Sequence, residues 1–168
     1  MLADVKQSDL PSLWQKLNSK SLSVANLGLL SDVICCPGGD FCALANAKSI
    51  PIAESIQRKF SDEKFLRDVG ELRVNISGCM NACGHHHVGN IGILGVDKKG
   101  EEFYQISLGG SSKNKASIGK IIGPAFSEQE IPEIIDKIIN IYRASRNKGE
   151  TFIETYNRIG LELSLIHI

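Results

Sequence analysis

The sequence has no surplus of either charge: 19 Lys and Arg stand against 19 Asp and Glu in 168 residues. The balance is also local, with nine basic and nine acidic side chains in residues 1–84 and ten of each in 85–168. No basic arm or half is available to neutralise phosphates, which argues against a nucleic acid partner. No apolar run approaches the ~20 residues that span a bilayer. The N-terminus, MLADVKQSDLPS, lacks the basic-then-apolar order of a signal peptide. The expected setting is therefore cytoplasmic, with neither a membrane nor a nucleic acid as partner. An apolar content of 42% suffices for a core and excludes a disordered tail. The length fits one domain or part of a larger one.

Cysteine is the exception to this even composition. Cys35, Cys36, Cys42, Cys79 and Cys83 all lie within one stretch, and the last 85 residues have none. An odd number without a secretion signal argues against a disulfide scaffold. Leaving Cys35 aside, the pattern is Cys36-x5-Cys42 and Cys79-x3-Cys83, in the Gly-containing segments CPGGDFC and GCMNACG. Thiolates that hold an iron–sulfur cube must reach one inorganic core from several directions, and glycines let the backbone approach closely. Three plainer readings stand beside this one. Buried thiols can act as small hydrophobes. Zinc pairs usually show two to four intervening residues, which x5 exceeds. The x3 spacing also departs from the C-x2-C-x2-C run of bacterial ferredoxins.

Elsewhere the patterning is ordinary. Leu10, Leu13, Trp14 and Leu17 predict a short first helix with Pro11 in its first turn. SLSVANLGLLSDVI reads as turn and strand. Asp40 is expected to cap a helix over FCALANAKS, with Cys42 in its first turn, where the positive dipole end favours a thiolate. Pro51 kinks or restarts that helix through Ile52, Ile56 and Phe60. LRVNIS, with Leu72, Val74 and Ile76 on one side, predicts a strand, and NIGILGV and EFYQISL predict a hairpin across DKKGE. GGSSKNKAS reads as a loop. Ile131, Ile134, Ile135, Ile138, Ile139 and Tyr142 form one helical stripe. Ser127 and Glu130 resemble a capping box that Pro132 disturbs, so the regular helix is placed nearer Pro132. Gly149 is read as the stop and Glu150–Ile159 as a last helix. The fold class is α+β, with a small antiparallel sheet and hairpin covered by helices.

DVICCPGGDFCALA, LRVNISGCMNACGHHHVGNIGILG, FYQISLGG and the segment from IGPAFSEQE to YNRIG resemble the C-terminal part of the sirohaem-dependent sulfite and nitrite reductases. The wording is closest to assimilatory sulfite reductase haemoprotein subunits. The resemblance implies the C-terminal sirohaem and 4Fe–4S portion of that fold. Cys36, Cys42, Cys79 and Cys83 match the cluster ligands, and Cys83 matches the thiolate that also serves the sirohaem iron. It implies six-electron reduction of sulfite to sulfide or of nitrite to ammonia. Electrons would come from ferredoxin or an NADPH-flavoprotein partner. A cluster-only electron-transfer domain is the alternative. Cys35 departs from the ligand pattern and reads as a loop or core thiol. Asn81 is a candidate for a hydrogen bond to cluster or haem, and Lys113 and Lys115 for a haem carboxylate. His85, His86 and His87 suit packing beneath the cofactors better than a proton relay.

Sulfite, nitrite and sirohaem are anionic, and holding them calls for an Arg/Lys cluster that the sequence lacks near its cysteines. In the family those residues come from the N-terminal half. The expectation is therefore a fragment, inactive by itself. Residues 1–30 would be the end of a preceding domain or a linker, and 31–162 the cluster and sirohaem domain. Residues 163–168 would be a non-native tail, because LSLIHI also resembles a translated library adapter.

Overall fold

The computed structural model describes residues 2–160, so the expectation for the tail lies outside the described residues. One sheet carries strands in the order β1 (Ile34–Cys35), β2 (Val74–Ser77), β3 (Ile91–Lys98), β4 (Glu101–Leu108) and β5 (Lys120–Phe126). The α+β class holds, but the sheet is mixed rather than antiparallel throughout. β1, β2 and β3 pair parallel, whereas β3, β4 and β5 pair antiparallel. Parallel neighbours need crossovers. The first, from β1 to β2, runs through α2 (Ile50–Lys59) and α3 (Glu63–Val69). The second, from β2 to β3, has only a turn of 3-10 helix at His86–Val88.

Alternation along β2 sets the two faces of the sheet. Val74 and Ile76 are fully buried, as are Ile91 and Ile93 on β3, Tyr104 and Ile106 on β4, and Ile122 on β5. Helices α2, α3 and α4 (Ile131–Ser145) share this core through Ile52, Ile56, Leu66, Val69, Ile135 and Ile139. Each such side chain contributes roughly 1.5–3 kcal/mol by leaving water. The intervening residues Asn75, Gly92 and Ser107 lie in register as a small polar row across β2, β3 and β4. The second crossover packs against that row: Gly84 N–H donates to Ser77 Oγ (3.1 Å), and Asn75 Nδ2 donates to the Gly84 carbonyl (2.9 Å).

The hairpin forms as its pattern predicts, with strands long enough to leave a two-residue turn. Lys99 and Gly100 both have positive φ (59° and 86°), the conformation that matches strand twist. The Ser127–Glu130 capping box also forms, on a 3-10 turn, and Pro132 then sits in the first turn of α4, where it needs no donor. The two signals serve successive elements. Helix α4 stops at Ser145, before Gly149, and α5 (Phe152–Ile159) starts behind a Thr151–Glu154 box. The first helix, α1 (Leu10–Asn18), forms but buries none of its residues, and Trp14 stays exposed.

The helix expected over FCALANAKS is not present. Gly38–Asp40 is a single 3-10 turn, residues 41–49 are turns and bends, and α2 begins at Ile50. Tertiary hydrogen bonds take the backbone that a helix would use. Gly39 N–H donates to the Ala47 carbonyl (2.9 Å), while Asn46 and Ala47 N–H both donate to the Gly78 carbonyl (2.8 and 3.0 Å).

Candidate metal centre

Two neighbouring parallel strands end on the same side of a sheet, and crevices outside such ends are habitual ligand sites. Cys36 directly follows β1, and Cys79 follows β2 by one residue. Both cysteine loops therefore leave the sheet at one edge, and their backbones touch. Cys36 N–H donates to the Ile76 carbonyl (3.1 Å), and Gly78 N–H donates to Cys36 Sγ (3.1 Å). A Cβ on Gly78 would come 2.6 Å from the Ala47 carbonyl oxygen and 2.9 Å from Gly38 Cα, so only glycine fits.

The first loop is also anchored from the side. Tyr104 OH donates to the Lys48 carbonyl (2.9 Å), and Lys48 N–H donates to Glu102 (3.0 Å). Burial raises the Tyr104 phenol, with the Glu102 charge adding to it, so it stays a donor. Cys42 closes a turn with its N–H on the Gly38 carbonyl (2.9 Å). Because no helix starts there, the helix dipole offers Cys42 nothing.

Cys35 and Cys36 point opposite ways, as successive residues of an extended chain must. Cys35 packs against the core, and desolvation together with the neighbouring Cys36 raises its thiol above the ordinary value. Cys36 is lowered instead. Desolvation opposes the shift, but hydrogen bonds from Gly78 N–H, the Ser49 hydroxyl and the Gly38 backbone outweigh it. Ser49 does not stand out in the sequence, because it falls at the end of the helix expected over FCALANAKS. It occupies the N-cap position at the start of α2 but makes no side-chain cap bond. Its Oγ lies 3.5 Å from Cys36 Sγ, and the residue is 0% exposed.

In the second loop, Cys79 is buried and Cys83 is exposed. Cys83 stands between Ala82 (φ 57°) and His85 (φ 53°), two non-glycine residues in the left-handed region. Such conformations persist only where the surroundings over-determine them. Here Ala82 N–H bonds the Cys79 carbonyl (3.2 Å), and His85 N–H bonds the Ala82 carbonyl (2.7 Å). Gly84 is clamped on β2, where a Cβ would collide with the Ile76 carbonyl.

Among the histidines of the described residues, only His86 is buried, at 3% exposure, and its ring lies 3.9 Å from that of His87. Nδ1 of His86 has no partner. Desolvation, reinforced by His87, pushes its pKa down to about 4, so the imidazole is neutral at ordinary pH. Asn81 is exposed. Lys113 pairs with Glu71 (2.5 Å), which also faces Arg73 (3.7 Å). Lys115 is exposed.

Among the described residues, no three His, Cys, Asp or Glu side chains converge to hold one metal ion. Four thiolates on the corners of an iron–sulfur cube need not meet at a point. The donor set here is all thiol, flanked by glycines and glycine-like turns, and fits such a cube. Around it, Phe41 (80% exposed), Leu44 (73%) and Met80 (80%) stand open to solvent on the same two loops. An apolar surface of that kind suits a flat macrocycle.

The family model of the nitrite and sulphite reductase 4Fe-4S domain matches residues 29–164. The chain is 26% identical over 160 residues to the NAD(P)H nitrite reductase of Bacillus subtilis, covering 95% of this chain and 19% of that one. It is 24% identical over 161 residues to an assimilatory-type sulfite reductase of Nitratidesulfovibrio vulgaris, covering 96% and 70%. The solved structure of NirA from Mycobacterium tuberculosis superposes with a TM-score of 0.77 at 23% identity, over 96% of this chain and 31% of that one. The chain thus spans from about a fifth to about seven tenths of the relatives it matches.

Proposed function

This chain belongs to the family of the sirohaem-dependent nitrite and sulfite reductases, through its 4Fe–4S domain, and on that premise we propose that Cys36, Cys42, Cys79 and Cys83 hold the cluster. Cys83 is proposed to share its thiolate with a sirohaem iron. When bound, the two groups supply the one-electron steps that sum to the six-electron reduction of sulfite to sulfide. The observation that carries the reading is the Gly78 N–H bond to Cys36 Sγ, which ties the two cysteine loops together at one sheet edge.

The chain's own residues have distinct parts. Hydrogen bonds from Gly78 N–H and Ser49 favour the deprotonated form of Cys36. Cys35 faces the core and takes no part in ligation. Gly84 fixes the backbone beside Cys83, which is exposed, as is Met80 on the same loop, so a macrocycle has access there. Residues 31–162 form the cluster and sirohaem unit, and 1–30 the end of a preceding domain or a linker. The exposed α1 stripe is consistent with that division.

Nitrite is the second reading, favoured by nitrite reductases among the relatives. Ferredoxin or an NADPH-flavoprotein serves as donor. The chain by itself is proposed not to turn over either anion. The basic residues nearest in sequence to the cysteine loops, Lys48 and Arg73, each face a carboxylate, Asp40 (4.0 Å) and Glu71 (3.7 Å).

Anaerobic reconstitution with iron and sulfide, then with sirohaem, tests this. The expected product contains four irons and four sulfides per chain and gains haem bands on adding sirohaem. A colourless, zinc-containing protein would refute the reading. Reduced methyl viologen assays with sulfite and nitrite should show no turnover, and measurable turnover would overturn the inactivity claim.

A further inference from the structure

We propose that Ser49 is a positioning residue of the cluster, its hydroxyl donating a hydrogen bond to Cys36 Sγ beside the one from Gly78 N–H. The inference rests on the proposed cluster ligation by Cys36. Three observations lead to it. Ser49 occupies the N-cap position of α2, where a serine hydroxyl ordinarily accepts from the first helical N–H groups. It makes no such bond, and its Oγ instead lies 3.5 Å from Cys36 Sγ. The residue is wholly buried, so no solvent competes for the hydroxyl.

The direction of the bond follows from chemistry. A thiolate on iron carries no proton, so the serine must donate. Gly78 N–H already donates to the same sulfur at 3.1 Å. Two donors on one ligand sulfur withdraw electron density from it and favour the reduced cluster, which raises the reduction potential. The placement also explains the packing. A Cβ on Gly38 would lie 2.7 Å from Ser49 Oγ, and one on Gly78 would lie 3.1 Å from it. The hydroxyl thus sits at the junction of both cysteine loops, against the two glycines that let them meet.

The test uses the full chain with its cluster reconstituted anaerobically, as wild type, Ser49→Ala and Ser49→Thr. Redox potentiometry and resonance Raman of the terminal Fe–S stretches are read on each. Ser49→Ala should keep the cluster, shift its midpoint to more negative potential and move the Fe–S bands to higher frequency. Ser49→Thr, which keeps the hydroxyl, should lie near wild type. A cluster lost in Ser49→Ala but held in Ser49→Thr also supports a role for the hydroxyl. Wild-type potential and bands in Ser49→Ala would overturn the proposal, as would an equal displacement in Ser49→Thr. Loss of the cluster from both variants would assign Ser49 to packing and overturn it as well. If the wild type binds no cluster, the ligand assignment itself falls.

Discussion

At the carboxyl ends of β1 and β2, backbone meets backbone, while in the α4–α5 layer side chain meets side chain. The cysteine edge relies on glycines that tolerate no Cβ, on two left-handed non-glycine residues and on polar groups reaching across from β2. The helical layer relies on a buried isoleucine stripe, the Thr151 capping box and carboxylates paired with arginines. Asp68 accepts from Arg143 (2.9 Å) and Arg146 (2.8 Å), and Glu150 accepts from Arg158 (2.6 Å). The helical layer can lose one contact and keep the rest. The cysteine edge has no slack, because a displaced backbone moves a thiol. Rigidity of that kind is what a site with several fixed ligands needs.

Single substitutions should separate the two regions. Gly84→Ala should have the largest effect, a loss of about 4 kcal/mol or more with failure to take up a cluster, because the new Cβ meets the Ile76 carbonyl. A stable, cluster-loaded Gly84→Ala would contradict the account of this edge. Ile135→Ala, in the fully buried stripe, should cost about 2–5 kcal/mol in urea denaturation while folded chains keep full cluster absorption. Cluster loss out of proportion to unfolding would show that the two regions are coupled.

Acid should divide them next. His86 has its pKa pushed from the ordinary 6.5 to about 4 in the folded chain. Between those values the unfolded chain binds a proton that the folded chain refuses. Stability is therefore full above pH 6.5, falls on acidification through that window and levels off below 4. The expected loss is about 3 kcal/mol for the cluster-free chain. His86→Gln should flatten this slope, and an unchanged slope would remove His86 as its cause. Glu150 works in a lower window. The Arg158 hydrogen bond holds its carboxyl well below the ordinary range, so its contribution is present above about pH 4.5 and is lost below it. The smallest effect should come from Thr151→Ala, about 1 kcal/mol from the loss of the α5 cap, with cluster content unchanged.

The same contrast governs what was legible in the sequence. The α4 stripe was readable because its spacing is local and its burial follows directly. LRVNIS gave both faces of β2, since Val74 and Ile76 alternate with Asn75 and Ser77. The cysteine pairs stood out by spacing and by their glycines. The missing helix over FCALANAKS was illegible because alanine and leucine favour helix, whereas the deciding bonds run to Gly39 and Gly78. Propensity lost to tertiary contacts. Helix α3 has only seven residues, and its Asp62 cap was passed over. Strand β5 had no counterpart in the sequence pattern, since Gly123 and Pro124 interrupt it, but both are tolerated on an edge strand. The parallel pairing of β1 with β2 joins residues about forty positions apart, and nothing local signals it. That pairing brings the cysteine loops together, so the candidate residues were readable and their meeting place was not.

The central claim is that one sheet edge presents four of the five cysteines to a single cluster. Iron and sulfide analysis of anaerobically reconstituted Cys→Ser variants, one cysteine at a time, tests it most directly. Cys36→Ser, Cys42→Ser, Cys79→Ser and Cys83→Ser should each lose most of the cluster, and Cys35→Ser should retain four irons and four sulfides. Loss of the cluster in Cys35→Ser together with its retention in Cys36→Ser would contradict the account.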